Sequence, residues 1–122
     1  RLTDLPGVVL INDETLEQRN YQYVVVEVDE ECAGLSRDEL LRVLHAENVM
    51  AERSFYPCCH RMEPYRTLAP EARLRLPHTE RLADRVLCLP TGKAMNEAAI
   101  DAVCDVIRTA VRHAGEVRTK LS

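Results

Sequence analysis

The chain has 122 residues and a formal net charge of −4. That length predicts a single domain over residues 1–122, which buries about two-thirds of the surface of the unfolded chain. The acidic balance and the dispersed arginines exclude the basic stripe that nucleic-acid-binding domains present. No apolar run approaches the roughly 20 residues of a membrane span, and no signal segment opens the chain. We therefore expect neither a nucleic-acid nor a membrane partner.

The five cysteines form no recognisable metal or disulfide pattern. Their number is odd, and no pair has the CxxC spacing of structural zinc sites and redox motifs. Cys88 and Cys104 lie within apolar patterns, where a thiol behaves as a small buried hydrophobe. We therefore expect free thiols in a reducing cytoplasm. The full set is Cys32, Cys58, Cys59, Cys88 and Cys104.

Two strands are predicted in the first third of the chain. Residues 8–11 form a short β-branched run, and the polar stretch Asn12-Asp13-Glu14 after it indicates a turn. Residues 21–28 form the clearest strand, with valines on both faces. A strand of that composition is expected to be covered, at least in part, on both sides.

A helix follows, and its first turn has a specific signature. Ser36-Arg37-Asp38-Glu39 is a capping box, in which the serine hydroxyl and the glutamate carboxylate bond each other's backbone amides. Leu35 and Leu40 have the spacing of a hydrophobic staple around it. Asn48 is the expected end of the helix, and residues 49–51 are predicted to form a short strand.

The second half of the chain is predicted to alternate in the same way. Residues 67–77 are polar and interrupted by proline, so we expect them to be irregular. Thr79 is expected to cap a short helix that runs to residue 85, and residues 86–89 form a buried strand stopped by Pro90. Asn96 caps the longest helix, Gly115 suits a left-handed stop, and residues 116–122 are expected to fray. The apolar stripe of that helix comprises Ile100, Val103, Cys104, Ile107 and Val111.

Few strands, and helices longer than the strands, predict an α+β fold. We expect a two-layer sandwich in which helices cover one face of a small, mostly antiparallel sheet. Fold class alone does not indicate a function.

Residues 55–66 are the most informative stretch for function. They contain three of the five aromatic residues, two of the five cysteines and two of the six prolines. Because proline disfavours helix interiors and central strands, the segment is expected to be largely loop. Loops that carry aromatic and ionisable groups on a rigid scaffold are where binding chemistry usually lies.

Two catalytic interpretations of this loop meet geometric objections. A thiol nucleophile would need His60 within about 2.6–3.2 Å of Cys58 or Cys59, but in an extended backbone Cys58 and His60 lie about 6–7 Å apart. A metal site built from these residues, with His78 as a further ligand, would rely on adjacent donors that chelate poorly. We expect no catalytic residue and no metal site within this chain.

A third interpretation makes the loop the polar wall of a binding site. Imidazole titrates near neutrality and phenol hydroxyls both donate and accept hydrogen bonds, which suits sugars and carboxylates. The candidate residues are Arg53, Tyr56, His60 and Tyr65. The alternative is that Tyr56, His60 and Tyr65 simply satisfy backbone groups of the loop.

From residue 20 to residue 111 the chain resembles the C-terminal, small domain of PLP-dependent sugar aminotransferases of the DegT/StrS type, which have fold type I. The similar pieces stand in family order, although Glu52 and Ser54 replace part of the usual arginine-rich run before Phe-Tyr-Pro. They are Asn20-Tyr21-Gln22-Tyr23, Leu35-Ser36-Arg37-Asp38-Glu39-Leu40, Ala51-Glu52-Arg53-Ser54-Phe55-Tyr56-Pro57, His60, Pro64-Tyr65-Arg66, Pro77-His78-Thr79-Glu80 and Val86-Leu87-Cys88-Leu89-Pro90-Thr91-Gly92.

The resemblance implies an aminotransferase as the parent protein and a fragment of it as this chain. Such enzymes hold PLP on a lysine of a large N-terminal domain, whereas this chain has only Lys93 and Lys120, neither in a suitable context. The chain alone is therefore expected to be inactive and to hold no cofactor, with Tyr56, His60 and Tyr65 turned toward the nucleotide-sugar or the amino donor. The expected partners are the large PLP-binding domain and, in isolation, a second copy. The alternative is a separately encoded binding or interaction module derived from such a domain, with no catalysis.

Overall fold

A small antiparallel sheet forms one layer of the fold. The computed structural model describes residues 1–11 and 22–122, and within them the sheet has three strands in the order β1-β2-β3. They are β1 (Val8–Leu10), β2 (Val24–Val28) and β3 (Val86–Leu89), and both neighbouring pairs are antiparallel. Val26 lies at the centre, opposite Leu10 on one side and Leu87 on the other. The predicted α+β class with an antiparallel sheet is confirmed.

Each of the three observed strands lies where a strand was predicted, and two of them are shorter than predicted. The first strand is one residue shorter than predicted, and the strand at Val86–Leu89 matches. The central strand begins at Val24, after Gln22 and Tyr23, which lie outside it. Tyr21 and the predicted turn at residues 12–14 lie outside the described residues.

Two helices, α2 (Arg37–Ala46) and α6 (Glu97–Arg112), contribute to one hydrophobic core with the sheet. Leu40 and Leu44 of α2 and Ile107 of α6 are fully buried together with Val26 and Leu87. Burying one such side chain stabilises the folded state by about 1.5–3 kcal/mol. This apolar contact holds α2 and α6 against the sheet.

The capping box at the start of α2 is confirmed. The Ser36 hydroxyl accepts from the Glu39 amide at 3.2 Å, and a Glu39 carboxylate oxygen accepts from the Ser36 amide at 2.7 Å. The helix ends at Ala46, and Asn48 takes a left-handed φ of 58° just beyond it. Asparagine tolerates this conformation better than most residues.

The predicted strand at residues 49–51 is wrong. The Val49 amide donates to the Leu44 carbonyl at 2.8 Å, and the Ala51 amide donates to the Val49 carbonyl at 2.9 Å. These turns use the amides that a ladder would need. Pairing with the sheet is limited to a single bridge between Glu52 and Cys88.

A short helix that the sequence did not predict, α1 (Glu30–Ala33), joins the sheet to α2. The Asp29 carboxylate caps its first turn, and Gly34 ends it with a φ of 74°. Gly7 approaches this helix closely, since a Cβ there would lie 2.3 Å from the Ala33 amide nitrogen. Only glycine fits at that position, which also has a φ of +71°.

Short helical pieces follow the loop: a 3-10 turn (Cys59–Arg61), α3 (Tyr65–Leu68), α4 (Ala72–Arg75) and α5 (Pro77–Arg85). The stretch at residues 67–77, predicted to be irregular, therefore contains α4 and the end of α3. The predicted cap at Thr79 is also wrong, because α5 begins two residues earlier. Proline suits the first helical position, where its missing N–H is not needed.

The last helices partly follow the prediction. The Asn96 side chain accepts from the Ala99 amide at 2.9 Å and caps α6. The predicted stripe is buried except at Ile100, which is 39% exposed and lines a surface cavity of about 310 Å³. Gly115 does not take a left-handed φ, so the predicted stop is wrong. Residues 114–121 form helix α7 (Ala114–Leu121), and fraying of residues 116–122 stays a prediction.

Across the described parts of the chain, residues 1–11 and 22–122, no helix has both the length and the apolar character required to cross a bilayer.

Candidate functional site

An open cavity of about 850 Å³ lies against residues 55–79. Three of the four predicted site residues, Tyr56, His60 and Tyr65, line it. The other lining residues are mostly apolar: Phe55, Pro57, Cys58, Cys59, Met62, Ala69, Ala72, Leu76 and Thr79. The wall thus combines aromatic and apolar surface with a few polar groups, which is typical of small-molecule sites.

Phe55 is the first residue of the loop and has an unusual backbone conformation. It is a non-glycine residue with a left-handed φ of 54°, and its side chain is 79% exposed. Its ring meets Tyr23 edge-on, with centroids 6.4 Å apart. A residue held in this region costs of order 1–3 kcal/mol, and such strain concentrates at functional sites. An exposed, strained aromatic at the rim of a cavity therefore supports a binding role for this loop.

Two arginines hold the ring of Tyr56. The guanidinium carbons of Arg37 and Arg53 lie 5.5 and 5.1 Å from its centroid, within cation–π distance. One Asp38 carboxylate oxygen accepts a hydrogen bond from Arg37 Nε at 2.6 Å and forms an ion pair with Arg53, whose Nε lies 3.0 Å away. Arg53 does not line the cavity, so its place in the site is to support Tyr56 rather than to form the wall.

Arg37 anchors this arrangement to the core. It is 3% exposed, and its Nη1 donates to the carbonyls of Ala83 at 3.0 Å and Val86 at 2.7 Å. Those carbonyls lie at the end of α5 and the start of β3. A buried guanidinium with these partners ties the orientation of Tyr56 to the junction of a helix and a strand.

Glu80 on α5 holds the other polar side of the loop. Its Oε1 is 2.5 Å from His60 Nε2 and accepts from Arg61 Nε at 2.9 Å. Its Oε2 accepts from Arg73 Nε at 3.1 Å and also contacts Arg61 Nη2. The hydrogen bond from Arg61, with that from His60, lowers the pKa of Glu80 to about 2. The carboxylate is therefore ionised at neutral pH and holds three basic side chains, of which His60 lines the cavity.

The geometry gives no support to a thiol nucleophile. Cys58 is 7% exposed, and burial raises the pKa of its thiol, which disfavours the reactive thiolate. His60 directs its Nε2 to Glu80 rather than to a cysteine. All five cysteines are free, as predicted, with Cys88 and Cys104 buried.

The described residues give no support to a metal centre either. Among residues 1–11 and 22–122, no group of three or more histidine, cysteine, aspartate or glutamate side chains is arranged to hold an ion. Cys58, Cys59 and His60 are neighbours in the chain, but their side chains do not converge as ligands.

Two structurally important residues were not singled out as site residues from the sequence. Arg37 and Glu80 both occur in motifs noted above, at the start of α2 and in Pro77-His78-Thr79-Glu80, yet no role followed from those positions. Their partners lie far away in sequence, 49 residues for the Arg37–Val86 bond and 20 for the His60–Glu80 contact. A carboxylate two residues after a histidine in Pro77-His78-Thr79-Glu80 was the available signal for Glu80.

Comparison with known proteins gives a consistent set of relatives. Residues 1–108 match the model of the DegT/DnrJ/EryC1/StrS aminotransferase family. The dTDP-4-amino-4,6-dideoxy-D-glucose transaminase of Escherichia coli is 30% identical over 99 residues, which are 81% of this chain and 26% of that protein. The transaminase of the same name from Shigella dysenteriae is 26% identical over 108 residues, covering 88% of this chain and 29% of that protein.

A crystal structure of DesI in the presence of its TDP-sugar product has the same fold over nearly the whole chain. The match has a TM-score of 0.85 and 44% sequence identity, and it covers 98% of this chain and 30% of the DesI chain. The chain thus spans less than a third of the length of each of these three relatives.

Proposed function

The chain belongs to the DegT/DnrJ/EryC1/StrS aminotransferase family, and we propose that it forms the small, C-terminal domain of a PLP-dependent nucleotide-sugar aminotransferase. In this proposal it lines the substrate side of an active site whose PLP-binding lysine lies in a large domain outside this sequence. The observation that carries the proposal is the convergence of Tyr56, His60 and Tyr65 on one open, largely apolar cavity.

The lysines of this chain do not fit a covalent PLP site. Lys93 and Lys120 are both exposed, and neither lines the cavity that contains Tyr56, His60 and Tyr65. A lysine that forms a Schiff base needs a desolvated or cation-flanked setting in the pocket that holds the cofactor. The chemistry of PLP therefore belongs, in this proposal, to the large domain.

His60 is set up to accept a hydrogen bond from a ligand. Glu80 is ionised at neutral pH and its Oε1 accepts a hydrogen bond from Nε2 of His60, which selects the tautomer with the proton on that nitrogen. Nδ1 is then an acceptor, suited to a sugar hydroxyl or to the ammonium group of an amino donor. Tyr56 and Tyr65 add hydroxyl groups that both donate and accept.

The surface around the cavity fits a covering partner. Large apolar side chains here are exposed: Phe55 by 79%, Leu68 by 74%, Leu74 by 84% and Tyr65 by 57%. Apolar surface of this kind marks contact sites. We propose that the large PLP-binding domain covers it and that the isolated chain associates with a second copy. Light scattering at high protein concentration should show dimers or larger species, and a strictly monomeric chain would count against this part of the proposal.

The substrate-side role is tested in the product of the complete reading frame that contains this chain. Tyr56→Phe, His60→Gln and Tyr65→Phe should each lower kcat/KM for the nucleotide sugar by about tenfold, the effect of losing one hydrogen bond to substrate. Tyr23→Phe is the matched control, because Tyr23 is an exposed tyrosine outside the cavity. Unchanged kcat/KM in all three cavity variants would refute the role.

A second experiment separates a domain of an enzyme from a separately encoded binding module. The 122-residue chain is mixed with PLP, desalted and examined for the absorbance of lysine-bound PLP. We expect no bound cofactor after desalting. Stoichiometric PLP that survives desalting would overturn the claim that the lysine lies elsewhere, and a complete reading frame without a PLP-binding segment would favour the binding module.

A further inference from the structure

A second, smaller cavity adjoins the first and has a different chemical character. It has a volume of about 330 Å³ and is lined by His60, Arg61, Arg66, Pro70 and Arg73. His60 lines both cavities, so the two meet at this residue. We call the first the aromatic cavity and the second the basic cavity. The basic cavity is therefore placed to take the charged end of a ligand whose apolar part lies against the aromatic residues.

The charge of this wall is opposite to that of the protein as a whole. The chain carries a net charge of −4, yet every lining residue of the basic cavity other than proline is basic. The partner carboxylates, Glu63 and Glu80, do not line it. The ion pairs join three guanidinium groups to these two carboxylates, which leaves one positive charge in excess among the paired groups, and Asp84 is a further acidic group that acts on Arg61. Such a cavity attracts anions rather than cations.

The arginines are oriented and still have donors to offer. Arg61 uses Nε and Nη2 on Glu80, and Arg66 uses Nε and Nη2 on Glu63 at 2.8 and 2.7 Å. Arg73 uses Nε alone, and its side chain is 71% exposed. Since a guanidinium has five N–H donors, each retains donors for an oxyanion beyond these bonds. Two arginines held by carboxylates lose less conformational entropy on binding than free ones would.

We propose that the basic cavity formed by His60, Arg61, Arg66 and Arg73 binds the phosphoryl groups of a phosphorylated ligand, whose remaining part lies in the aromatic cavity across His60. Arginine forks match the geometry of phosphate oxygens and form charge-assisted bonds with them. The binding of phosphate groups rests only on this geometry. Their assignment to the diphosphate of a nucleotide sugar, rather than to the phosphate of PLP, rests on the function proposed above.

The proposal is tested by calorimetric titration of the 122-residue chain at low ionic strength. The probes are inorganic pyrophosphate, inorganic phosphate, thymidine diphosphate, thymidine and PLP. Pyrophosphate should bind to the wild-type chain. The double variant Arg66→Ala/Arg73→Ala should lower the affinity for pyrophosphate by at least about tenfold, because each charge-assisted hydrogen bond that is lost contributes to the binding free energy. Both side chains are about 70% exposed (69% and 71%), so the variant is expected to keep its fold, which circular dichroism verifies.

Arg75→Ala is the matched control. Arg75 lies on the same short helix as Arg73, is 76% exposed and pairs with Glu71 outside the basic cavity. Its removal changes the net charge by one unit without touching the cavity, so the affinity for pyrophosphate should change by less than about twofold. An equal loss in the control and the double variant would reduce the effect to general charge and overturn the site.

The probes also distinguish the sources of the phosphate. Thymidine diphosphate binding more tightly than both pyrophosphate and thymidine supports a nucleotide ligand that uses both cavities. PLP binding more tightly than thymidine diphosphate supports the phosphate site with the cofactor as its source. No binding of pyrophosphate, or binding that the double variant leaves unchanged, overturns the proposal. That failure would leave the kinetic test of Tyr56, His60 and Tyr65 standing, so the two proposals fail separately.

Discussion

The helical core and the loop region that precedes α5 in the chain are held together by different forces. In the core, α2 and α6 bury fully enclosed leucine and isoleucine side chains against the sheet. In the loop region, residues 55–76, large apolar side chains are exposed and the fixed contacts are ionic, centred on Glu80. The core is therefore a rigid scaffold. The apolar side chains of the loop region stay exposed, where they form a cavity and a contact face and contribute little to stability.

The largest expected effect is on the free energy of unfolding when a core side chain is truncated. Leu44→Ala removes a fully buried side chain from the core and should lower the free energy of unfolding by about 2–5 kcal/mol. Leu74→Ala, at a side chain that is 84% exposed, should change it by less than about 0.5 kcal/mol. Urea denaturation of the two variants gives both values. Similar losses would mean that the loop region is packed like the core.

The next effect tests the link between the two regions. Arg37→Met leaves the buried carbonyls of Ala83 and Val86 without their donor, which should cost about 1–3 kcal/mol of unfolding free energy. Arg53→Met is the matched control, because Arg53 contacts the same Asp38 and Tyr56 but has a side chain that is 41% exposed. It should cost less than about 1 kcal/mol. Equal costs in thermal or urea unfolding would contradict the anchoring role given to Arg37.

A smaller effect concerns the capping box. Ser36→Ala removes the hydroxyl that accepts from the Glu39 amide and should lower the free energy of unfolding by about 1 kcal/mol. Thr67→Ala removes a hydroxyl of the loop region that donates to the exposed Glu63, and a change of less than about 0.5 kcal/mol is expected. Chemical denaturation should rank the two in that order. The reverse order would show that the loop contacts are more stabilising than their exposure indicates.

The smallest expected effect is a change in how the stability of the fold depends on acid pH. The pKa of Glu80 falls from its ordinary value of 4.5 to about 2 in the folded chain. Its stabilising contribution is therefore fully present above pH 4.5 and is lost as the pH falls toward 2. Glu80→Gln should remove part of the acid-induced loss of stability in that window.

Urea midpoints measured at several pH values between 5 and about 2 test this expectation. The control is Glu71→Gln, which removes an exposed carboxylate that pairs only weakly with Arg75 at 3.7 Å. The control should keep the wild-type slope. A Glu80→Gln profile that parallels the wild type would show that the ion contacts of Glu80 do not stabilise the fold.

The accuracy of the sequence predictions differs between the same two regions. In the core, the capping box, the Asn96 cap and the strand Val86–Leu89 were predicted correctly, because each depends on side chains within a few residues of one another. At Val49 and Ala51 the prediction was wrong. An apolar run there satisfied the pattern of a strand, but local turns took its amides.

The sequence by itself thus determined the elements of the core and which loop carries the aromatic and basic groups. Caps and hydrophobic periodicity act within one or two helical turns, so they can be read from neighbouring residues. Only the tertiary structure decided that Arg37 would clamp Tyr56 and that Glu80 would gather His60, Arg61 and Arg73. Those contacts join residues far apart in the chain, and their geometry exists only after burial of the core has brought α2, α5 and the loop together.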